Sequence, residues 1–228
     1  MKISGIQKLT LLDFPGRVAC TIFTPGCNFR CPFCHNALLV FNRTDEIPEE
    51  EVLDFLKKRA GILDGICITG GEPLLQKDIA QFIRKVRDLG YLVKLDTNGT
   101  FPELLGELLG EKLVDYVAMD IKSSRKNYHI AAGTDSVDIG KINESINLLK
   151  SSGIPHEFRT TTVKGIHTKE DFEDIADWLA GEENYFIQQY KVSDDMIGDE
   201  FESFSKEELE SFREIVAKSV RNVSLRGI

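Results

Sequence analysis

Three of the chain's five cysteines fall in one short run, Cys27-Asn28-Phe29-Arg30-Cys31-Pro32-Phe33-Cys34, with C-x3-C-x2-C spacing. Thiolates are soft ligands suited to iron–sulfur clusters, zinc and Cu(I). A structural zinc wants four ligands in a closed tetrahedron. Only three cysteines are local here, no second CxxC pair exists, and His35 adjoins Cys34 too closely for both to chelate one ion easily. A cubane iron–sulfur cluster usually takes four cysteines. Three would leave one iron open to an outside ligand, as a catalytic metal keeps an open position, and this is the favoured reading of Cys27, Cys31 and Cys34. Cys20 and Cys67 lie in apolar runs and read as core. An odd cysteine count without an export signal argues against a disulfide framework and for the cytoplasm.

Polar residues of chemical interest stand at the ends of further apolar runs. Gly70-Gly71-Glu72-Pro73 follows one, Asp96-Thr97-Asn98-Gly99 ends a second, and Asp120-Ile121-Lys122 ends a third. Glycines there let a ligand approach the main chain closely. Asp96 and Asp120 are poorly placed as core. Their oxygens suit a hard cation, and two carboxylates could also do acid–base work.

The elements that must position these residues alternate in type. Strand-like runs occur near 18–23, 65–69, 92–97, 115–121, 157–163, 185–190 and 222–225. Helical periodicity falls between them, over 49–58, 79–89, 142–149 and 172–179. One helix fills the stretch between Cys34 and the next strand. Ser205 with Glu208 reads as a capping box opening the last helix, and Gly90, Gly110 and Gly153 mark helix ends. Strand–helix–strand alternation implies right-handed βαβ units and a parallel sheet. Six units fit the length, which predicts an α/β chain folded as a single domain, an incomplete (β/α)6-type parallel barrel. Its expected parts are an N-terminal extension (1–17), the partial barrel (18–192), and a C-terminal helix and strand (193–228). Sites in such sheets lie at the C-terminal strand ends, where the motifs fall.

Composition narrows the function. The 228 residues include 28 Lys+Arg and 37 Asp+Glu, a net charge of −9, which argues against nucleic-acid or anionic-membrane binding. No apolar run is long enough for a transmembrane helix. Residues 169–214 carry 16 acidic and 4 basic side chains, which read as two solvated amphipathic helices.

C-x3-C-x2-C with an aromatic before the third cysteine resembles the signature of the radical S-adenosylmethionine (SAM) superfamily, and the likeness runs through residues 1–192. Gly70-Gly71-Glu72-Pro73 is similar to that superfamily's glycine-rich motif. Asp96-Thr97-Asn98-Gly99 and Asp120-Ile121-Lys122 resemble segments of glycyl-radical-enzyme activases. Leu11-Leu12-Asp13-Phe14-Pro15-Gly16, with Cys34-His35-Asn36, is most similar to the activating proteins of anaerobic ribonucleoside-triphosphate reductase.

The resemblance implies that Cys27, Cys31 and Cys34 hold a [4Fe–4S] cluster whose fourth iron takes SAM, which is cleaved reductively to a 5′-deoxyadenosyl radical. Phe33 would shield the cluster and present its backbone to the adenine. Gly70, Gly71, Glu72 and Pro73 would cradle SAM, with Glu72 accepting from its ammonium. Asp96, Thr97 and Asp120 would line a monovalent-cation site, and Lys122 and Arg159 would meet the cofactor carboxylate, although a salt bridge to a neighbouring acid is the plainer role for Arg159. His35 reads as a local hydrogen-bonding residue and His167, after Gly165, as part of a strand-following loop, and Lys191 departs from a Tyr-His pair that related activases can carry. The implied partner is a glycyl-radical enzyme, first the anaerobic ribonucleotide reductase, with flavodoxin or ferredoxin as electron donor. The alternatives are activation of pyruvate formate-lyase or another glycyl-radical enzyme, a small-molecule radical SAM enzyme of the deazaguanine ring-contraction kind, and a non-catalytic iron–sulfur carrier.

Overall fold

The computed structural model describes residues 1–192, 196–198 and 201–228. Among these residues eight strands run in chain order: β1 (Gly5–Thr10), β2 (Ala19–Thr24), β3 (Gly65–Gly70), β4 (Leu92–Thr97), β5 (Tyr116–Asp120), β6 (His156–Thr162), β7 (Asn184–Gln189) and β8 (Asn222–Arg226). The helices are α1 (Ala37–Val40), α2 (Glu49–Arg59), α3 (Ile79–Asp88), α4 (Pro102–Gly110), α5 (Tyr128–Ala132), α6 (Ile139–Ser152), α7 (Lys169–Trp178) and α8 (Lys206–Val216). Strand order in the sheet is chain order and does not close on itself. The pairs β2–β3, β3–β4, β6–β7 and β7–β8 are parallel, and β1 pairs antiparallel with β2. The expected open, parallel α/β sheet is therefore present.

β1 is an addition to the expected N-terminal extension. Its Gln7, Lys8 and Leu9 are exposed, as an edge strand allows, so it has little of the alternation that reveals strands in sequence. Two helices, not one, follow Cys34 before β3; α1, like α5, is too short for a helical period to show.

The chain forms two compact units. The first comprises Met1–Asn28, Leu38–Ala118 and Lys141–Pro155. Its β3 buries Ile66, Cys67 and Ile68 completely, as a parallel strand covered on both faces requires. Helix α3 covers the sheet with Ile79, Phe82, Ile83 and Val86 at helical spacing. Its Arg87 reaches Asp115 at 2.8 Å, and the same carboxylate oxygen accepts the Val93 amide at 2.8 Å. In the segment Leu11–Gly16, Asp13 accepts the Thr21 hydroxyl at 2.5 Å and Phe14 packs where a side chain on Gly65 would stand, whereas Leu11 and Leu12 are exposed.

The second unit comprises Phe29–Ala37, Met119–Gly140 and His156–Ile228. Phe172 of α7 stacks on Phe212 of α8 with centroids 4.4 Å apart, a pairing worth about 0.5–1.5 kcal/mol beyond its burial. Both helices open with capping boxes, Thr168 with Asp171 and, as expected, Ser205 with Glu208. Arg226 clamps β8 by a bidentate pair to buried Glu157, at 2.6 and 2.9 Å. Of the acidic stretch 169–214, α7 and α8 are amphipathic as expected, while Asp194, Asp195, Asp199 and Glu200 lie outside the described residues, as does the start of the expected 193–228 segment. Among the described residues no helix is long and apolar enough to cross a membrane.

Candidate active site

In the first unit, β3 delivers the glycine pair to its C-terminal end. Gly70 has φ +116°, a conformation closed to most L-residues, and a Cβ there would lie 2.5 Å from the Thr24 backbone. A Cβ on Gly71 would lie 1.9 Å from the Gly26 carbonyl oxygen. The glycines therefore let the turn press against the backbone that enters the cysteine loop just before Cys27. The Gly71 amide donates to Thr24 O at 2.9 Å and the Glu72 amide to Gly26 O at 2.8 Å.

Glu72 is buried beneath this turn. Its Oε1 accepts the Leu74 amide at 3.0 Å and the Thr97 hydroxyl at 2.8 Å, and its Oε2 accepts the Asn98 amide at 2.7 Å. The side chain expected to meet an ammonium thus joins the turns after β3 and β4. Pro73 opens the short turn Pro73–Leu75, as expected of a residue that fixes φ. Asn98 continues the network: its Nδ2 donates to Asn28 Oδ1 at 2.9 Å, while Asn28 Nδ2 donates to the Thr100 hydroxyl at 2.9 Å. Neither asparagine carried a reading beyond turn and loop in the sequence. Asp96, at the end of β4, is buried and ion-paired with Lys94.

The second unit holds the rest of the cysteine loop. Cys31 is buried and Cys34 half-buried, and the Cys34 amide donates to Cys31 O at 3.0 Å, which turns the chain between them. Gly133, in the left-handed conformation after α5, packs so closely that a Cβ would lie 2.0 Å from Arg30 O, and the Arg30 amide donates to Ala132 O at 2.8 Å. Gly133 carried no reading in the sequence; its approach to the loop is a tertiary fact. Phe33 is buried edge-on to His167, with centroids 6.0 Å apart. His167 Nε2 bonds Lys122 O at 2.8 Å, and its Nδ1 accepts the Val163 amide at 3.0 Å. Burial lowers its pKa against the opposing pull of these backbone bonds, which keeps the ring neutral. His35 is exposed.

Asp120 ends β5 between two cations. Arg159 Nε reaches its Oδ1 at 2.5 Å and Lys122 Nζ its Oδ2 at 2.8 Å. Burial pushes the Asp120 pKa up, but the two positive charges outweigh it and hold the carboxyl well below its usual range. Burial likewise opposes the charge on Lys122, and Asp120, with a contribution from Cys31, overrides it and raises the lysine. Arg159 thus has the salt bridge weighed for it as the plainer role. Tyr190 is buried with its hydroxyl 2.7 Å from Met196 Sδ, and Lys191 is exposed.

Among the described residues no cysteine is in a disulfide. Cys20 and Cys67 are wholly buried in β2 and β3, and burial pushes the Cys20 thiol up to about 12, so it stays protonated. Of the motif cysteines, Cys27 and Cys34 are half-buried and Cys31 is buried, and all three stand in the loop rather than in a strand. This donor set suits an iron–sulfur cluster with an open iron. The residues expected at a cation site each have a protein partner: Asp96 has Lys94, Thr97 has Glu72 and Asp120 has Arg159. Among the described residues no three His, Cys, Asp or Glu side chains gather as a single metal ion requires.

An open parallel sheet with a three-cysteine loop after one strand and a Gly-Gly-Glu-Pro turn after the next defines a class of cofactor-dependent enzymes. The family model described as the Radical SAM superfamily matches residues 21–179, and the chain belongs to that superfamily. Within it, the chain is a homologue of glycyl-radical-enzyme activating enzymes. It is 37% identical to a Methanocaldococcus jannaschii protein named as one, over 99% of this chain and 96% of that protein. A Pyrococcus abyssi protein named as a GTP 3′,8-cyclase is 30% identical over 80% of this chain and 60% of its own length. Solved structures share the fold: Streptococcus suis SuiB at TM-score 0.71 (16% identity, 91% of this chain, 48% of SuiB), and a domain of the pyruvate-formate lyase-activating enzyme of Bacteroides vulgatus at 0.58 (17% identity, 72% of this chain, 99% of that chain).

Proposed function

We propose that the chain is an activase that makes a glycyl radical on a partner enzyme, and that the partner is the anaerobic ribonucleoside-triphosphate reductase. The observation that carries the reading is the end-to-end likeness to the M. jannaschii protein named as a glycyl-radical enzyme activating enzyme. The choice of reductase rests on Leu11–Gly16 and Cys34–Asn36.

In this reading Cys27, Cys31 and Cys34 hold a [4Fe–4S] cluster and leave one iron to SAM. When bound, this pair supplies one-electron cleavage of the sulfonium and a carbon radical able to take a glycine hydrogen. The protein's own part is positioning. Gly70 and Gly71 give a close main-chain approach, with Glu72 and Pro73 setting the turn. Phe33 covers the cluster side, held edge-on by His167. Lys122 and Arg159 offer positive charge to a carboxylate while Asp120 orients both. Asp96 anchors the end of β4. The chain acts as one catalytic domain in the cytoplasm, with reduced flavodoxin or ferredoxin as electron source.

The test is anaerobic reconstitution with iron and sulfide, reduction, and addition of SAM with candidate glycyl-radical enzymes one at a time. A glycyl-radical doublet on the ribonucleotide reductase alone is expected. A doublet only on pyruvate formate-lyase or another partner reassigns the target. The second reading, a small-molecule radical SAM enzyme, is favoured by the relatives named as GTP 3′,8-cyclases. SAM cleavage without a doublet on any partner, and turnover of a small molecule, would establish it instead.

A further inference from the structure

We propose that the Lys94 ammonium is the built-in counter-cation of Asp96, so that the end of β4 needs no alkali-metal ion. The inference stands on the geometry of the first unit and does not depend on which substrate the enzyme acts on.

Lys94 and Asp96 are two residues apart on β4, so their side chains leave the same face of the strand. Both are buried, Lys94 to 2% exposure and Asp96 to 8%. Lys94 Nζ bonds Asp96 Oδ1 directly. Cys67 Sγ of β3 lies 3.7 Å from each, donating to Asp96 Oδ1 and accepting from Lys94 Nζ. A lysine is almost never buried unless paired, and a buried carboxylate must be paired or hydrogen-bonded. These two residues meet both needs with each other.

The arrangement changes what the resemblance implied for Asp96 and Thr97. An alkali ion at Asp96 would share the carboxylate with an ammonium that already holds Oδ1, and two like charges that close in a dry setting repel strongly. The Thr97 hydroxyl is also committed: it donates to Glu72 Oε1 at 2.8 Å and accepts the Gly99 amide at 3.1 Å. Lys94 is therefore a positioning residue. It fixes the charge and orientation of Asp96 next to the Asp96–Gly99 turn, and Cys67 Sγ contacts both members of the pair.

The experiment compares potassium, sodium and tetramethylammonium chlorides at equal ionic strength. Two quantities are read: the thermal midpoint of the apoprotein, and 5′-deoxyadenosine formation by the reconstituted enzyme. Wild type is expected to show the same midpoint and the same rate in all three salts. Lys94→Met is expected to melt about 10 °C lower in tetramethylammonium, since it strands a buried carboxylate, and to recover part of the loss in potassium or sodium. Lys94→Arg keeps the charge and should keep a cation-independent midpoint. If Lys94→Met does not fold, the double variant Lys94→Met/Asp96→Asn, which removes both charges, is expected to fold and to ignore the salt. A wild-type midpoint or rate that rises specifically with potassium or sodium overturns the proposal, as does a Lys94→Met protein as stable as wild type in tetramethylammonium. The apoprotein holds neither cluster nor SAM, so failure here is distinct from failure of the activase reading.

Discussion

The Thr97 hydroxyl donates to Glu72 Oε1 at 2.8 Å, tying the turn after β4 to the turn after β3. With the Leu74 and Asn98 amides on the same carboxylate, three donors from two loops converge on one buried side chain. Glu72 thereby sets the spacing of the two strand-end turns, which the proposed function assigns to the cofactor. Its two oxygens accept from these three donors, a pattern that a neutral isostere cannot reproduce.

Glu72→Gln follows directly. The amide nitrogen must face one of the N–H or O–H donors, so at least one hydrogen bond is lost and two donors oppose each other. The expected cost is about 1–3 kcal/mol, read as a lower urea midpoint at unchanged slope, together with weaker SAM binding. Stability equal to wild type would show that the carboxylate is not the junction described.

The glycines separate close approach from mere flexibility. Gly71→Ala and Gly133→Ala each force a Cβ to within about 2 Å of a carbonyl oxygen, that of Gly26 at the entry to the cysteine loop and that of Arg30 within it. Backbone on both sides must shift, at an expected 1–3 kcal/mol, roughly the cost of overpacking, and iron retention should fall. Gly106→Ala in α4 meets only the end of Leu148 at 3.6 Å, so it should be neutral or more stable by about 0.5–1 kcal/mol. Iron content per chain and thermal midpoint read both effects.

The cysteines should divide in two. Cys27→Ala, Cys31→Ala and Cys34→Ala are expected to lose the visible absorption and most of the iron after reconstitution. Cys20→Ala should keep both, because its thiol is buried in β2 and stays protonated. Cys67→Ala should likewise keep its iron, since this buried β3 thiol faces Lys94 and Asp96.

Acid should weaken the second unit through Asp120. A carboxylate whose pKa falls on folding stabilises the native state above its unfolded value of about 4, and loses that contribution as pH drops through the folded value. Asp120 is shifted downward by Arg159 and Lys122, so its contribution is full at neutral pH and drains only in acid. The lowered His167 acts in the same direction, because a buried neutral ring resists the proton that the unfolded chain accepts. Asp120→Asn is expected to cost about 2 kcal/mol near neutral pH, where it strands two cations, and to flatten the acid limb of stability against pH. Urea unfolding of both proteins across the acid range measures the difference.

Much of this protein was legible in its residues. The seven apolar runs correspond to β2–β8 within a residue or two, because buried parallel strands are short and continuously apolar. The cysteine spacing, the glycine pair and the polar strand ends identified the family, since each is a local pattern whose chemistry does not depend on distant neighbours. What the amino-acid order could not decide is who pairs with whom. Glu72 and Asp96 look alike in sequence as acids at strand ends, yet one gathers neutral donors and the other a buried lysine. Lys94 sits in an apolar run with nothing to mark it, and becomes meaningful only because strand geometry puts residues 94 and 96 on one face opposite Cys67. Gly133 and Asn28 acquire their roles in the same way, through contacts with segments far along the chain. Spacing along the chain determines which ligands are available; packing between segments decides which charges are already spoken for.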